Sequence, residues 1–349
     1  MTGEKFQDKD RLSARVGDRI RQSVFLVGGA IAVAATVAPV SAFVRQYLNT
    51  GSVDCYFPSQ IKDRAIPHGL SGMTWNTAGK TLGRSREILE FMDSGGNLAM
   101  LQEVPRQDYE AYARIMHYRN RPYSVCFVQA DAKPKLLQGG LGNMIISDQI
   151  PEDTMSYRMK GRSLPGLAKK ITVSLFNDAK NVVSVRLSPS TVSVGLDLSF
   201  SNLRKADEED RAILGFTLKM RDEDGRVVRV KGLTGHLSGH QPFRGRQLQR
   251  LGKVIDLNKR GSLPLLIGFD ANTDPEEMVP LLESYGLYTR LTEPTSSDGR
   301  VIDYIGYSPS SRLGIVAIQR GTLRSDHYNV QFRFQTHFFE ISRSLRPVW

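Results

Sequence analysis

An apolar strand that ends in an acid and an amide is the feature that most constrains the fold of this chain. Residues 263–274 read LPLLIGFDANTD, so a buried run stops at Gly268, and Asp270 and Asn272 follow two positions apart. Residues i and i+2 of an extended chain point to the same side. If the chain stays extended past Gly268, both side chains face one spot at a strand end, where α/β proteins commonly build sites. A strand followed by a polar turn fits the same residues, because Asp and Asn are ordinary turn residues.

Other predicted strands also carry polar residues where they end. Asn76 closes the strand that follows Gly69, and Glu103 closes the apolar strand at 97–104, where a buried carboxylate is costly unless it binds something. The turn at 222–225 joins two strands in a predicted hairpin. Further candidates are His236 after this hairpin, Asp303 in the strand 301–307, and Asp326 with His327 before the last strand.

These residue types form the set that phosphoester hydrolysis needs. Glu103, with Asn76 and Asp326 nearby, can hold a hard cation through oxygen ligands, and Mg²⁺ suits such a site. An Asp beside a His, as Asp303 can be with His327, holds the imidazole in place and favours its charged form.

The remaining candidates can act on water and on phosphate. Asp270 can activate or align a water molecule, and Asn272 and His236 can donate to the oxygens where charge builds. His236 and His240 have the spacing of a helical zinc site, but no Glu lies between them and the context is strand and loop, which argues against zinc. The glycine-rich residues 139–147 lack a Walker lysine, which favours a tight turn.

Together, these motifs resemble the endonuclease/exonuclease/phosphatase superfamily, the deoxyribonuclease I-like fold. The resemblance extends from about residue 69 to about residue 334. Its blocks are TWN at 74–76 with Gly79, LQE at 101–103, residues 142–147, TGHL at 234–237, DAN at 270–272, and IDYI at 302–305 with SDH at 325–327. The helix containing Arg246 and Gln249 also resembles the family's Arg-x-x-Gln element. The chain departs from the family pattern at Phe269, which intervenes between Gly268 and Asp270, and at Gly235, which intervenes before His236.

The resemblance implies a fold, a cofactor and a set of roles. The fold is a four-layer α/β sandwich of two mostly antiparallel β-sheets flanked by helices. The cofactor is Mg²⁺, with Mn²⁺ as an alternative, bound chiefly by Glu103 with Asn76 and Asp326 nearby. The resemblance assigns catalytic roles to His327 paired with Asp303, to Asp270 as the group that positions water, and to His236. The substrate phosphate is bound by Asn272, His236 and Asn143.

The amino-terminal residues predict a membrane anchor. A basic leader at 1–22 precedes an uncharged apolar run at 23–44 that is long enough to cross a bilayer as a helix. Val40-Ser41-Ala42 also resembles a signal-peptidase site, and a buried core helix ranks third. We favour an uncleaved signal anchor, with the amino terminus cytoplasmic and the rest exported. A linker at 45–67 and a catalytic domain at 68–349 would follow.

Charge and cysteine content suggest partners and compartment. The net charge of +11 favours a polyanion such as nucleic acid, or an acidic membrane surface. Cys55 and Cys126 can form one disulfide in an oxidising compartment or remain buried thiols. Nothing in the sequence indicates oligomerisation.

Three functions follow, in order of preference. The first is a Mg²⁺-dependent nuclease, which would bind its substrate partly through a basic helical group (Arg244, Arg246, Arg250 and Lys253). The second is a lipid or inositol phosphate hydrolase, similar to a sphingomyelinase, that acts at a membrane through the apolar segment. The third is a non-catalytic module that retains the fold.

Overall fold

In a computed structural model of the chain, two β-sheets pack against each other and bring polar strand ends together. The structure describes residues 51–62, 64–131, 140–159, 184–188, 191–195, 211–239, 243–261, 263–289, 293–308, 313–323 and 325–336. All of these residues lie within one compact unit of the chain, Gln46–Trp349. The predicted leader and apolar helix lie outside the described residues. Among the described residues, no helix is both long enough and apolar enough to cross a membrane.

The described elements are fifteen strands and four α-helices. The strands are β1 (Val53–Tyr56), β2 (Leu70–Asn76), β3 (Leu98–Pro105), β4 (Ser124–Asp131), β5 (Leu141–Ser147), β6 (Glu152–Met159), β7 (Ser184–Ser188), β8 (Thr191–Gly195), β9 (Arg211–Arg221), β10 (Val227–His236), β11 (Leu265–Asp270), β12 (Tyr288–Thr289), β13 (Asp303–Tyr307), β14 (Leu313–Leu323) and β15 (Tyr328–Thr336). The helices are α1 (Ser85–Asp93), α2 (Arg106–Tyr118), α3 (Phe243–Lys259) and α4 (Pro275–Ser284).

Each large sheet is antiparallel except at its centre. The first has the order β1-β4-β5-β3-β2-β15-β14, and the second has the order β12-β13-β11-β10-β9-β6. Only β2 with β3 and β10 with β11 run parallel in these two sheets as described. Because parallel neighbours end at the same edge, each pair delivers two strand ends side by side. Strands β7 and β8 form a separate hairpin.

Three apolar layers hold the elements together. Between the sheets, Leu98 and Met100 pack in one cluster with Leu214 and Leu266 of the opposite sheet. Residues of α1 and α2, including Ile88 and Tyr112, cover the outer face of the first sheet. Residues of α3 and α4, including Leu251 and Met278, cover the outer face of the second sheet. The order helix, sheet, sheet, helix confirms the predicted four-layer sandwich.

The first sheet begins before residue 68, where the catalytic domain was expected to start. Strand β1 lies within the segment expected to be a linker and pairs with β4 at the sheet edge. Its register places Cys55 opposite Cys126, and the two form a disulfide. The sequence left this pairing open, and the strand register decides it.

Candidate active site

The two parallel pairs end beside each other and form one cavity of about 240 Å³. Its walls include seven of the residues expected from the sequence: Asn76, Glu103, His236, Asp270, Asn272, Asp326 and His327. They come from five different places in the chain, at the ends of β2, β3, β10 and β11 and just before β15. An eighth expected residue, Asp303, lies beside His327.

Several of the side chains that line the cavity converge on Asp270. Its carboxylate is fully buried, and its Oδ2 accepts a hydrogen bond of 2.7 Å from Asn76 Nδ2. The same oxygen is 3.5 Å from His236 Nε2 and 3.6 Å from His327 Nε2. Burial and the charge of Asp303 raise the pKa of Asp270, while the two histidines and Asn76 oppose that rise. The result is a carboxylate that is more basic than usual, held between two imidazoles.

Asn272 reaches the cavity by a different route from the one expected. The chain stays extended past Gly268 only as far as Asp270, where β11 ends, and Asn272 has a left-handed φ of 49°. The backbone N–H of Asn272 donates to Asp270 Oδ1 over 2.9 Å, which closes a tight local turn. This turn directs the Asn272 side chain towards His236.

The Asn272 side chain fixes the tautomer of His236. Asn272 Nδ2 is 2.9 Å from the carbonyl oxygen of Leu237, which can only accept, so this atom is the amide nitrogen. The same nitrogen donates to His236 Nε2 over 2.7 Å. The ring proton of neutral His236 is therefore on Nδ1, which lies 3.6 Å from Glu103 Oε1. Both amide hydrogens of Asn272 are used within the protein, so its predicted phosphate contact stays a prediction.

His327 is held as a cation between buried carboxylates. Its Nδ1 donates to Asp303 Oδ2 over 2.8 Å, and both side chains are buried. Burial works against the charge on His327, but the hydrogen bond to Asp303 and the charges of Asp303, Asp270 and Asp326 outweigh it and raise the pKa to about 9. The pairing expected from the sequence is present.

The segment before β15 is fixed by the end of β2. Ser325 Oγ donates to the Asn76 carbonyl oxygen over 3.0 Å, and Trp75 Nε1 donates to the His327 carbonyl oxygen over 3.2 Å. These bonds join β2 to the residues that precede β15, so Asp326 and His327 are presented from a fixed backbone.

Glu103 lies on an irregularity of β3. The register between β3 and β5 shifts between Leu101 and Val104, so Gln102 and Glu103 face one residue of β5. Glu103 has a φ of 53°, a left-handed conformation that costs a non-glycine residue roughly 1–2 kcal/mol. Bulges near active sites re-aim side chains, and this one turns Glu103 into the cavity.

Gln102, the other residue of this bulge, links the two sheets below the cavity. Its Nε2 donates to Thr74 Oγ1 over 3.0 Å and to Thr234 Oγ1 over 2.9 Å. Thr74 belongs to β2 and Thr234 to β10, so one side chain bridges the strands that carry Asn76 and His236.

The oxygen atoms of Glu103, Asn76 and Asp326 fit a hard divalent cation. Across the described part of the chain, the carboxylates of Glu103 and Asp326 accept no hydrogen bond, and both line the cavity. Asn76 Oδ1 accepts from the Ala78 backbone N–H over 2.9 Å and keeps a second lone pair. Two carboxylates and an amide oxygen are ligands that Mg²⁺ prefers, and Glu103 Oε1 is also 3.6 Å from His236 Nδ1.

A second group can also hold a metal. Asp270, Asp303 and His327 each offer a ligand atom within 4.8 Å of the others. His327 Nδ1 already donates to Asp303 Oδ2, and an imidazole is a softer ligand than a carboxylate. The all-oxygen group at Glu103 therefore fits a hard cation better.

Asn143 is not brought to the cavity. It lies on β5 with its side chain buried, and its Nδ2 donates to the carbonyl oxygen of Ala212 on β9 over 2.7 Å. In this position it joins the two sheets, and its phosphate-binding role remains a prediction.

Helix α3 supports the cavity through residues two positions before those that the sequence indicated. Arg246 and Gln249 are exposed. Gln247 is buried, and its Oε1 accepts from the Ser238 backbone N–H over 2.7 Å. Arg244 Nη1 donates to the carbonyl oxygen of Asn272 over 2.5 Å. Both pairs match Arg-x-x-Gln, and Arg244 with Gln247 is the pair that bonds to the residues after β10 and β11.

One wall of the cavity was not identified from the sequence. Residues 295–300, here called the 295–300 turn, contribute Ser296, Ser297, Asp298 and Arg300 to the lining. The order Ser-Ser-Asp-Gly-Arg predicts a turn, but nothing in it indicates proximity to residues near 326.

The sequence matches no protein-family model and no curated protein. Solved structures similar to this chain include the human Nocturnin catalytic domain with bound sulfate, at 18% identity and a TM-score of 0.48, covering 82% of this chain and 97% of that one. The mannosyl-6-phosphatase of Bacteroides thetaiotaomicron has 16% identity and a TM-score of 0.45, covering 77% and 100%. An endonuclease/exonuclease/phosphatase family protein from Leptotrichia buccalis has 13% identity and a TM-score of 0.49, covering 77% and 100%.

Proposed function

We propose that this chain is a phosphoester hydrolase that uses a divalent cation and cleaves phosphodiester bonds in nucleic acid. The observation that carries the proposal is the position of Asp270 Oδ2, 3.5 Å from His236 and 3.6 Å from His327, in the cavity that Glu103 lines. A base, two imidazoles and a set of oxygen ligands within one cavity are the groups that hydrolysis of a phosphate ester requires.

Asp270 is proposed to orient the attacking water and accept its proton. Burial raises the pKa of this carboxyl, which strengthens it as a base compared with an exposed aspartate. Its other oxygen accepts from the Asn272 backbone, so the carboxylate cannot rotate away. The strand end therefore supplies both the base and its orientation.

His327 is proposed to donate to the phosphate oxygens as a cation. Asp303 holds its Nδ1, which leaves the Nε2 proton for the substrate. His236 is proposed to donate from Nδ1, because Asn272 occupies its Nε2. Both donors would stabilise the negative charge on the phosphoryl oxygens in the transition state.

The cofactor is proposed to be Mg²⁺, with Mn²⁺ as an alternative, held by Glu103, Asn76 and Asp326. Bound there, the ion would withdraw charge from the phosphate oxygens and neutralise part of the acidic cavity. The left-handed backbone at Glu103 supports this role, because local strain is common where a side chain must be aimed at a ligand.

Nucleic acid is proposed as the substrate because the chain carries a net charge of +11. Neutralising phosphates with Lys and Arg supplies most non-specific affinity for nucleic acid. Arg244 of the proposed basic helix contacts the Asn272 carbonyl oxygen, so it supports the site from within the protein.

A substrate panel tests this function. Purified protein with Mg²⁺ is offered plasmid DNA, RNA, phosphoinositides and sphingomyelin, and Glu103→Ala serves as the control. We expect cleavage of nucleic acid that EDTA abolishes and that the variant lacks. Release of phosphate or phosphocholine from lipid alone would favour the lipid hydrolase, and no reaction with any substrate would contradict the proposal.

We also propose that the described domain works outside the cytoplasm. The Cys55–Cys126 disulfide supports this location, since disulfides persist in oxidising compartments and are rare in the cytosol. Mass spectrometry of protein denatured without a reductant should find both cysteines inaccessible to alkylation. Full alkylation of both without a reductant would contradict it.

A further inference from the structure

Hydrogen bonds attach the 295–300 turn to the backbone on both sides of His327 and to the backbone of Asp303. The Tyr328 backbone N–H donates to the Thr295 carbonyl oxygen over 2.8 Å, and the Ser297 N–H donates to the Asp326 carbonyl oxygen over 2.8 Å. Thr295 Oγ1 accepts from the backbone N–H of Asp303 over 2.9 Å. The turn is thus positioned by the same backbone that presents His327 and Asp303.

Bonds within the turn make it rigid. The Thr295 and Ser296 N–H groups both donate to the Arg300 carbonyl oxygen, over 2.9 Å and 3.0 Å. The Ser296 hydroxyl also donates to Asp298 Oδ1. A side chain carried by this turn is therefore presented from a pre-organised backbone, which lowers the entropy cost of binding a ligand.

Arg300 is distinct in charge from its surroundings. Glu103, Asp270, Asp298 and Asp326 line the cavity as acids. Of the described residues that line it, Arg300 is the one with a permanent positive charge. A lone arginine at an acidic cavity that accepts a phosphate ester is suited to an anionic part of the substrate.

The Arg300 guanidinium is held on one side and open on the other. Its Nε donates to Asp298 Oδ2 over 2.7 Å. Within the described part of the chain, its two terminal nitrogens make no hydrogen bond. Hydrogen bonds from Ser296 and Arg300 lower the pKa of Asp298 to about 2, so this partner stays charged at neutral pH. The terminal nitrogens remain available as the paired donors that match a phosphate group.

We propose that the 295–300 turn forms a second anion subsite, in which Arg300 binds the phosphate adjacent to the scissile one along a nucleic-acid strand. The proposal rests on the function above and extends it, because it requires a substrate with two neighbouring anionic groups. Asp270, His236 and His327 surround the reacting phosphate, and Arg300 binds its neighbour from the wall. A substrate with one isolated phosphate leaves this subsite empty.

Matched trinucleotides test the subsite. Thymidine trinucleotide has two charged linkages, and two analogues each replace one linkage with an uncharged methylphosphonate. We expect Arg300→Gln to lower kcat/KM on the fully charged trinucleotide about 10-fold, mainly through KM. It should leave both analogues unchanged, because neither offers a charged neighbour to the remaining scissile bond. Arg260→Gln, which removes an equal charge from an exposed residue after α3, should change none of the three rates.

The outcomes separate this inference from the proposed function. Equal losses on all three substrates would place Arg300 on the scissile phosphate and overturn the subsite, and no loss on any would overturn it as well. If wild type cleaves none of them, the proposed function fails. Fluorescence anisotropy with labelled trinucleotide in EDTA then still tests the subsite. Binding about 10-fold weaker in Arg300→Gln supports it, and equal affinity overturns it.

Discussion

His327 Nδ1 donates to Asp303 Oδ2 over 2.8 Å, and burial excludes water from the pair. The geometry matches the way an Asp orients and charges an imidazole in unrelated hydrolases. In this chain Asp303 begins β13 and His327 directly precedes β15, a strand of the opposite sheet. The packing of the sandwich therefore creates the pair.

Asp303→Asn should reduce kcat sharply while leaving the fold intact. An amide cannot stabilise the imidazolium and can select the wrong tautomer, so we expect a loss of about three orders of magnitude. The measurement is the rate on a phosphodiester under saturation. Asp256→Asn, which removes an exposed carboxylate on α3, is the control. A rate within a few-fold of wild type would mean that Asp303 does not act through His327.

The charge on His327 should make stability fall at alkaline pH. Its folded pKa of about 9 lies above its ordinary value of 6.5, so the stabilisation is fully present below pH 6.5 and is lost as pH rises through 9. The difference in unfolding free energy between wild type and His327→Gln should therefore shrink between pH 6.5 and pH 9 in urea titrations with EDTA. An unchanged difference would contradict the assigned charge.

Much of the site could be read from the sequence because each candidate ends or begins a strand. Asp270, Glu103 and Asn76 follow apolar runs whose burial fixes their position, and the sandwich brings the ends together. The hairpin at 222–225 was predictable for a similar reason, since turn residues separate two apolar strands and Gly225 has a φ of 76°.

The features that the sequence did not predict depend on how distant segments of the chain pack together. Arg244 with Gln247 and Arg246 with Gln249 fit one motif equally, and only the phase of α3 against the sheet selects the first pair. The 295–300 turn meets His327 through backbone bonds that no side-chain pattern encodes. The left-handed φ of Glu103 carries no glycine to signal it.

Glu103→Gly should be more stable than Glu103→Ala, which is the reverse of the usual order for these two residues in a strand. At a φ of 53°, glycine relieves strain that alanine keeps, so the Gly variant should be more stable than the Ala variant by about 1 kcal/mol in urea unfolding. We expect Mg²⁺ to raise Tm in wild type and to leave it unchanged in both variants. Equal stability of the two variants would contradict the bulge geometry, and a retained Mg²⁺ shift would contradict the ligand assignment.

Arg244→Met should lower kcat through the position of Asn272. Without the guanidinium, the Asn272 carbonyl oxygen loses a charged donor, and the turn that orients His236 loosens. We expect about a 10-fold loss of kcat on bis-p-nitrophenyl phosphate, with KM changing less. Arg246→Met on the same helix is the matched control, because Arg246 is exposed. Equal effects of both substitutions would point to helix stability instead of Asn272.

Hydrolysis in ¹⁸O-labelled water by wild type and by Asp270→Asn tests whether Asp270 directs the attacking water. If Asp270 directs water onto phosphorus, a single turnover of wild type with Mg²⁺ should place one ¹⁸O on the product phosphate. The variant should form almost no product, while its thermal unfolding remains cooperative. Product formed by Asp270→Asn at the wild-type rate, or wild-type product without ¹⁸O on phosphorus, would contradict the account.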